Sequence, residues 1–300
     1  MRVSTSTGMC GTVLRKEILT CEEAIQAVAA AGFDAIDINL GGYGREGLPL
    51  AQPDWRDWTK RQKENCDAAG LPVTQAHAHY YLPWHARNFT ALEWEENNEK
   101  LLRDIEAAGI LGVPWLVFHP DTGYDGAGYS RRLSLEGEME RFRRLGEAAA
   151  RHGVGIAIEN MRDVKNGPRC AEKFFGTTAE DLLDLLDRLG DDSLFGICWD
   201  TGHANLSGIN QPEAIRQMGK RLKALHINDN RGEKDDHTLP YLGTVEWEPL
   251  LLALKEVGYH GDFTYESHGF TAGFDPEFHP EAMKFACKVA RSMVALIESR

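Results

Sequence analysis

Thiolate metal motifs are missing from this chain. Its six cysteines (Cys10, Cys21, Cys66, Cys170, Cys198 and Cys287) are scattered with no C-x-x-C pair, and 300 residues can build a core without disulfides. They read as free thiols. Long apolar runs are missing as well: nothing approaches the roughly 20 residues that a spanning helix needs, and Met1 leads straight into RVSTST rather than into a charged-then-apolar leader. The expectation is a cytoplasmic protein with no membrane partner. Positive charge is scarce, with 33 Lys and Arg against 46 Asp and Glu and a formal net charge of -13. That balance argues against a general grip on phosphate backbones, so nucleic acid is not the expected partner. Neither G-K-[ST] nor a strand followed by G-x-G-x-x-G occurs. Gly41 to Gly44 and Gly123 to Gly128 therefore read as flexible turns, and no nucleotide site is assigned. Repeats, low-complexity tracts and splitting linkers are absent too, which leaves one domain over residues 1–300.

What is present is a regular alternation. Strand-like runs cover Val3 to Thr7, Ala35 to Asn39, Pro72 to Ala76, Trp115 to His119, Val154 to Glu159, Leu194 to Asp200, Leu222 to Asn228 and Asp262 to Glu266. Between them lie stretches with helical period: Cys21 to Ala31, Trp55 to Ala69, Glu93 to Gly109, Leu133 to His152, Thr178 to Leu189, Gln211 to Arg221, Trp247 to Val257 and Pro280 to Ser299. Eight of each predict an α/β fold, a single-domain (β/α)8 TIM barrel. Thr178 stands three residues before Asp181 as a helix cap, and Gly32, Gly70, Gly153 and Gly258 each close a helical pattern. Segments after the strands are long and rich in Gly, Pro and aromatics, whereas those before them are short. One face is built for a ligand.

Four of the runs end in a metal-competent side chain: Glu159 in GIAIEN, Asp200 in FGICWD, His226 in LKALHIN and Glu266 in DFTYES. Their separations leave room for a helix between successive runs, which is how a parallel barrel aims four ligands at one point above its rim. Oxygen and imidazole ligands without thiolate suit a divalent ion, with manganese or zinc preferred and magnesium or cobalt still open. His77 and His79 end the third run, His119 the fourth, His203 follows Asp200 by three residues, and Asp235 and His237 lie in the loop after His226. Any one of these groups could be a helix cap or a surface contact; four in register at strand ends are a stronger sign. His85, His152, His260 and His279 read as structural or exposed. Trp55, Trp58, Trp84, Trp94 and Trp115 read as packing residues, with Trp84 also a candidate to line the pocket, and Glu136 to Arg144 reads as a solvated helix face.

Together IAIEN, CWDTGHANLSG, LKALHINDN, DDHTLPYLGTVEW and FTYES resemble the xylose-isomerase-like barrel superfamily of sugar and sugar-phosphate isomerases and epimerases, inosose dehydratases and apurinic endonucleases. Resemblance to its ketose 3-epimerases implies that Glu159, Asp200, His226 and Glu266 hold one divalent metal. It also implies that Glu159 and Glu266 are the catalytic pair, moving a proton through a metal-stabilised enediolate. His203 matches a substrate-binding histidine; His77, His119, His237 and Arg231 join it as substrate-binding candidates, and Asp235 as a candidate additional metal ligand. Those epimerases carry a further acid in the loop after the first ligand and an arginine after the liganding histidine. Here that loop reads NMRDVKNG, and Arg231 sits one position off. The endonuclease branch binds three zinc ions through His, His, Glu, Asp, His, His, Asp, His and Glu. This chain offers His77, His119, Glu159, Asp200, His203, His226, Asp235, His237 and Glu266 in that order. The expected function is a metal-dependent isomerase or epimerase acting on a small-molecule sugar or sugar phosphate, with oligomeric state undetermined and a homo-oligomer open. The alternatives are a zinc-cluster phosphodiesterase, a keto-sugar or inosose dehydratase or lyase, and a non-catalytic sugar-binding barrel.

Overall fold

In a computed structural model, residues 1–10, 19–80, 90–166 and 169–299 are described, without the side chains of 165, 166 and 169–171. Trp84 and His85 lie outside the described residues. Eight parallel strands form the barrel wall: β1 (Val3–Ser6), β2 (Ala35–Asn39), β3 (Val73–His77), β4 (Trp115–Phe118), β5 (Gly155–Glu159), β6 (Phe195–Asp200), β7 (Leu222–His226) and β8 (Phe263–Tyr265). They pair in chain order, and β1 returns to β8 with Val3 opposite Phe263. A single bridge joins β7 to β8, where Ile227 N donates to Thr264 O at 2.8 Å and Glu266 N to Ile227 O at 3.1 Å.

The two-residue period of a strand decides what faces where. Ile36, Ile38, Leu116, Phe118, Ile156, Ile158, Ile197, Trp199 and Leu225 point outward into one core beneath the helices; full burial of an aliphatic side chain of this size stabilises by about 1.5–3 kcal/mol. The small residues Val117, Ala157, Cys198 and Ala224 form a separate inner cluster against Trp115. Two residues further along the same four strands stand His119, Glu159, Asp200 and His226. A narrow apolar layer thus lies under the polar one, and its small side chains let the larger ones above converge. At the bottom, a Cβ on Gly155 would come within 2.5 Å of the Trp115 ring, and one on Gly196 within 2.1 Å of Lys223 Cγ. Those glycines leave room for Trp115 and Lys223, whose ammonium stands 5.5 Å from the indole centre.

The outer ring comprises α1 (Cys21–Ala31), α2 (Trp55–Ala69), α3 (Ala91–Leu111), α4 (Arg131–His152), α5 (Ala179–Leu189), α6 (Gln211–Met218), α7 (Trp247–Glu256) and α8 (His279–Ser299). Capping boxes start α1 and α3, where Thr20 and Thr90 exchange hydrogen bonds with Glu23 and Glu93. Thr178 caps α5 as expected, accepting from Asp181 N. The expected helix Gln211 to Arg221 stops at Met218 and continues as a 3-10 turn, because Gly219 breaks the helical backbone with φ 50°. Two expected turns are ordered structure. Residues Tyr124–Asp125 and Gly128–Tyr129 pair as a hairpin, and Leu40–Tyr43 is a helical turn whose Gly42 N donates to the Asn39 side chain. Glu136 to Arg144 is not wholly solvated either. Glu138 is 2% exposed, and Arg141 donates to the His119 carbonyl at 2.8 Å. Five cysteines are free and buried, Trp55 and Trp58 pack in the core, and no helix among the described residues is long and apolar enough to cross a membrane.

Candidate metal centre

Glu159 is fully buried at the centre of the strand ends, and four imidazoles surround it. His77 Nε2 and His119 Nε2 lie 3.2 and 3.1 Å from its Oε2, while His226 Nδ1 and His203 Nδ1 lie 3.2 and 3.3 Å from Oε1. Glu266 closes the ring, with Oε2 3.3 Å from His226 Nδ1. Ligand atoms of Glu159, Asp200, His226 and Glu266 all fall within 4.8 Å of one another. The same closeness holds for His77, His119 and Glu159, and for His203, Asp235 and His237.

The surrounding backbone settles which nitrogen of most of these rings faces inward. His77 donates Nδ1–H to Ala78 O, and His237 donates Nδ1–H to Glu266 O, each at 2.8 Å. His203 donates Nδ1–H to Asn160 O at 2.9 Å. A carbonyl can only accept, so these bonds place the proton on Nδ1 and leave Nε2 to offer a lone pair. His226 is turned the other way, with Nε2 3.9 Å from Asp37 Oδ2 and Nδ1 toward the glutamates. Asp200 is held from both sides: its backbone N donates to Asn160 Oδ1 at 2.6 Å, and Asn228 Nδ2 donates to its Oδ2 at 2.7 Å. The asparagines of IEN and HIN therefore orient the aspartate of CWD.

Whether these residues suit a divalent cation can be judged from atoms they leave unpartnered. Glu159 Oε1 and His226 Nδ1 are buried and make no aligned hydrogen bond. Native interiors leave few such groups, and a cation between them would satisfy both. The tetrad of Glu159, Asp200, His226 and Glu266 fits: three carboxylates balance a divalent charge with one imidazole, and no thiolate is present. Electrostatics agree. Burial alone would raise Glu159, yet His226 and His119 hold it well below the usual carboxylate range. Burial raises Glu266, and His226 and His237 only partly offset this. Burial opposes protonation of His203 and His226, but the carboxylates around them win and both are raised well above an ordinary histidine. Protons on the imidazoles and a cation among the carboxylates are alternative ways to neutralise one cluster.

Residues 25–289 match a family model described as the xylose isomerase-like TIM barrel. The chain belongs to that family. It spans 61% and 55% of the length of the first curated relatives it matches. It is 25% identical over 234 residues to a probable endonuclease 4 of Campylobacter curvus, covering 70% of this chain and 78% of that protein. It is also 25% identical over 207 residues to an inosose isomerase of Bacillus velezensis, covering 65% of this chain and 66% of that protein. A solved D-tagatose 3-epimerase-like protein superposes with a TM-score of 0.71 at 22% identity, over 98% of this chain and all of the other, and shares the fold.

Within this xylose isomerase-like barrel, nine of the eleven residues named from sequence meet in one cluster: His77, His119, Glu159, Asp200, His203, His226, Asp235, His237 and Glu266. Arg231 does not join them. It is exposed in a turn beside Gly232, and among the described residues no hydrogen bond or ion pair ties it to the centre. The arginine that touches the cluster is Arg162, whose Nε donates to Asp235 Oδ2 at 2.8 Å. His79 belongs to none of the ligand groups; its backbone N donates to the buried Asp104. Sequence reasoning also passed over Asp37 behind His226 and over His268, stacked on His237 with ring centres 4.1 Å apart. His268 stands two residues after Glu266 and could have been found by extending the strand-end pattern. Asp37 could have been found as an acid two residues before the end of a strand, pointing inward like Glu159.

Proposed function

We propose that this chain is a divalent-metal-dependent isomerase or epimerase of a sugar or sugar phosphate. The observation that carries the reading is the tetrad itself: Glu159 and Glu266, from different strands, reach the same His226 nitrogen at 3.2 and 3.3 Å. A divalent cation held by Glu159, Asp200, His226 and Glu266 would act as a Lewis acid toward a ketose carbonyl and its neighbouring hydroxyl, acidifying the carbon between them. Manganese or zinc suits the donor set. The two glutamates then divide the proton work: one removes the proton from the carbon next to the carbonyl, the other returns it, and the face of return decides between epimerisation and reversal. His203, fixed by its bond to Asn160 O, and His77, His119 and His237 present Nε2 toward the same space and orient hydroxyls. A dehydratase or lyase would share the first of these proton transfers.

A second reading is favoured by a different observation. Three groups of metal-competent side chains, the tetrad, His77 with His119 and Glu159, and His203 with Asp235 and His237, lie together with Glu159 shared by two of them, and the endonuclease resemblance implies three zinc ions at those nine positions. The substrate would then be a phosphodiester, against which the net charge of -13 weighs. Metal content and chemistry separate the readings. Elemental analysis giving fewer than three ions per chain, with deuterium entering the carbon next to the carbonyl when ketoses are incubated in D2O, supports the isomerase. That incorporation should vanish in Glu159→Gln and Glu266→Gln variants that keep the fold. Three ions with nicking of an abasic duplex, and no deuterium across a broad sugar panel, would instead establish the phosphodiesterase.

A further inference from the structure

The third ligand group differs from the other two in carrying its own cation. Asp235 is the single carboxylate of the set with His203 and His237, and its oxygens already face three partners: Arg162 Nε at 2.8 Å and His203 Nε2 at 3.5 Å on Oδ2, and His237 Nε2 at 3.3 Å on Oδ1. Guanidinium does not lose its proton in proteins, so this positive charge is permanent. A divalent ion at the same carboxylate would stand beside it with only one negative charge to share, whereas the tetrad offers three. The donor set therefore does not suit a resident cation while Arg162 is in place.

Arg162 also has donors left over. Among the described residues it spends only Nε on the protein, and Nη1 and Nη2 carry no hydrogen bond or ion pair. Its side chain is 27% exposed, against 7% and 8% for His203 and His237, which puts it between the buried cluster and the opening. It comes from the loop after β5, three residues beyond Glu159, so its position is tied to the strand that supplies the central ligand. A planar fork of free N–H groups beside a carboxylate shared with two imidazoles is chemistry that recognises an oxyanion bidentately.

We propose that Arg162 replaces a metal ion at the group of His203, Asp235 and His237, and that its free edge receives an anionic group, phosphate or carboxylate, on the substrate. This rests on the isomerase reading for the word substrate and narrows its class to sugars bearing a negative charge. His203 and His237 would supply the remaining donors to that group.

The test uses the metal-loaded full chain and two variants, Arg162→Gln and Arg162→Lys, each checked for folding by its thermal transition. Calorimetric titration with inorganic phosphate should show binding to the wild type, a loss of tenfold or more in Arg162→Gln, and partial retention in Arg162→Lys, where the charge survives without the fork. Elemental analysis in excess zinc should show one more ion per chain in Arg162→Gln than in the wild type. A smaller loss of phosphate affinity, or three ions already present in the wild type, would overturn the proposal. Ribose 5-phosphate against ribose, and glucuronate against glucose, tell phosphate from carboxylate as the natural group: the pair whose charged member loses its advantage in Arg162→Gln identifies it. Absence of deuterium exchange with every sugar would sink the isomerase reading while leaving these binding results to decide the role of Arg162.

Discussion

Behind His226, on the side away from the other ligands, the Asp37 carboxylate stands 3.9 Å from Nε2 and accepts from Gln75 Nε2 at 2.8 Å. Asp37 and Gln75 are both buried and sit opposite each other in the β2 and β3 register. A carboxylate there favours a proton on Nε2 and so keeps the Nδ1 lone pair toward Glu159 and Glu266. Outer groups of this kind are worth about 10–100-fold in metal affinity. Asp37→Asn should accordingly weaken metal binding by about tenfold or more, read by competition with a chromophoric chelator, while a change below threefold would deny Asp37 this role. The quartet at the strand ends was legible in the sequence because an isolated acid or histidine after an apolar run has few other places to point. Arg162 and Asp37 were not, since one acts through a partner 73 positions away and the other through a neighbouring strand. Arg231 misled for a related reason: counting from a ligand along a loop says nothing of where the loop turns.

Elements matter here mainly through the loops they anchor. The segment after β7 is tied back to its start by one side chain, Asp229, which accepts from Tyr241 N and Val245 N at 3.1 Å and from Trp247 Nε1 at 3.0 Å. His237 lies inside that tied loop with φ 43°, a left-handed conformation that few residues other than glycine adopt without such restraint. The turn after β6 is equally tight. A Cβ on Gly202 would fall 1.8 Å from Asn228 Oδ1, and Asn228 is the residue that holds Asp200. Gly202→Ala should therefore push Asn228 off Asp200, costing about 1–3 kcal/mol of stability as overpacking does and weakening metal binding with it. Gly126→Ala, where an added Cβ meets nothing within 4 Å, should leave both thermal transition and metal affinity unchanged. Equal effects from the two substitutions would refute the argument. Strand and helix existence was legible from periodicity, with α1, α2 and β2 matching residue for residue. The hairpins were not, because two-residue strands such as Tyr124–Asp125 are too short to show a period.

For the whole molecule, the barrel mouth is a balance of buried charge. Asp37, Glu159, Asp200, Asp235 and Glu266 meet His77, His119, His203, His226 and His237 in a volume with little solvent. Without a cation, protons on the imidazoles supply the compensation: His203 and His226 are raised well above the ordinary histidine range, and His237, which burial would lower, is raised by Asp235 to about 9. A group whose pKa is higher folded than unfolded stabilises the fold fully below its unfolded value, about 6.5 for histidine, and loses that contribution as pH rises through the folded value. The chelator-treated protein should therefore lose stability from about pH 6.5 upward, the His237 contribution going between there and about 9. Metal binding acts in the opposite sense, because the cation replaces those protons and competes with them less as pH rises. The difference in melting temperature between metal-loaded and chelator-treated protein should widen steadily across the same window, as scanning calorimetry at fixed free metal would show. A gap that stays constant with pH, or a chelated form that gains stability toward pH 9, would mean that the histidines do not carry the compensating charge and that the cluster is neutralised by some other means.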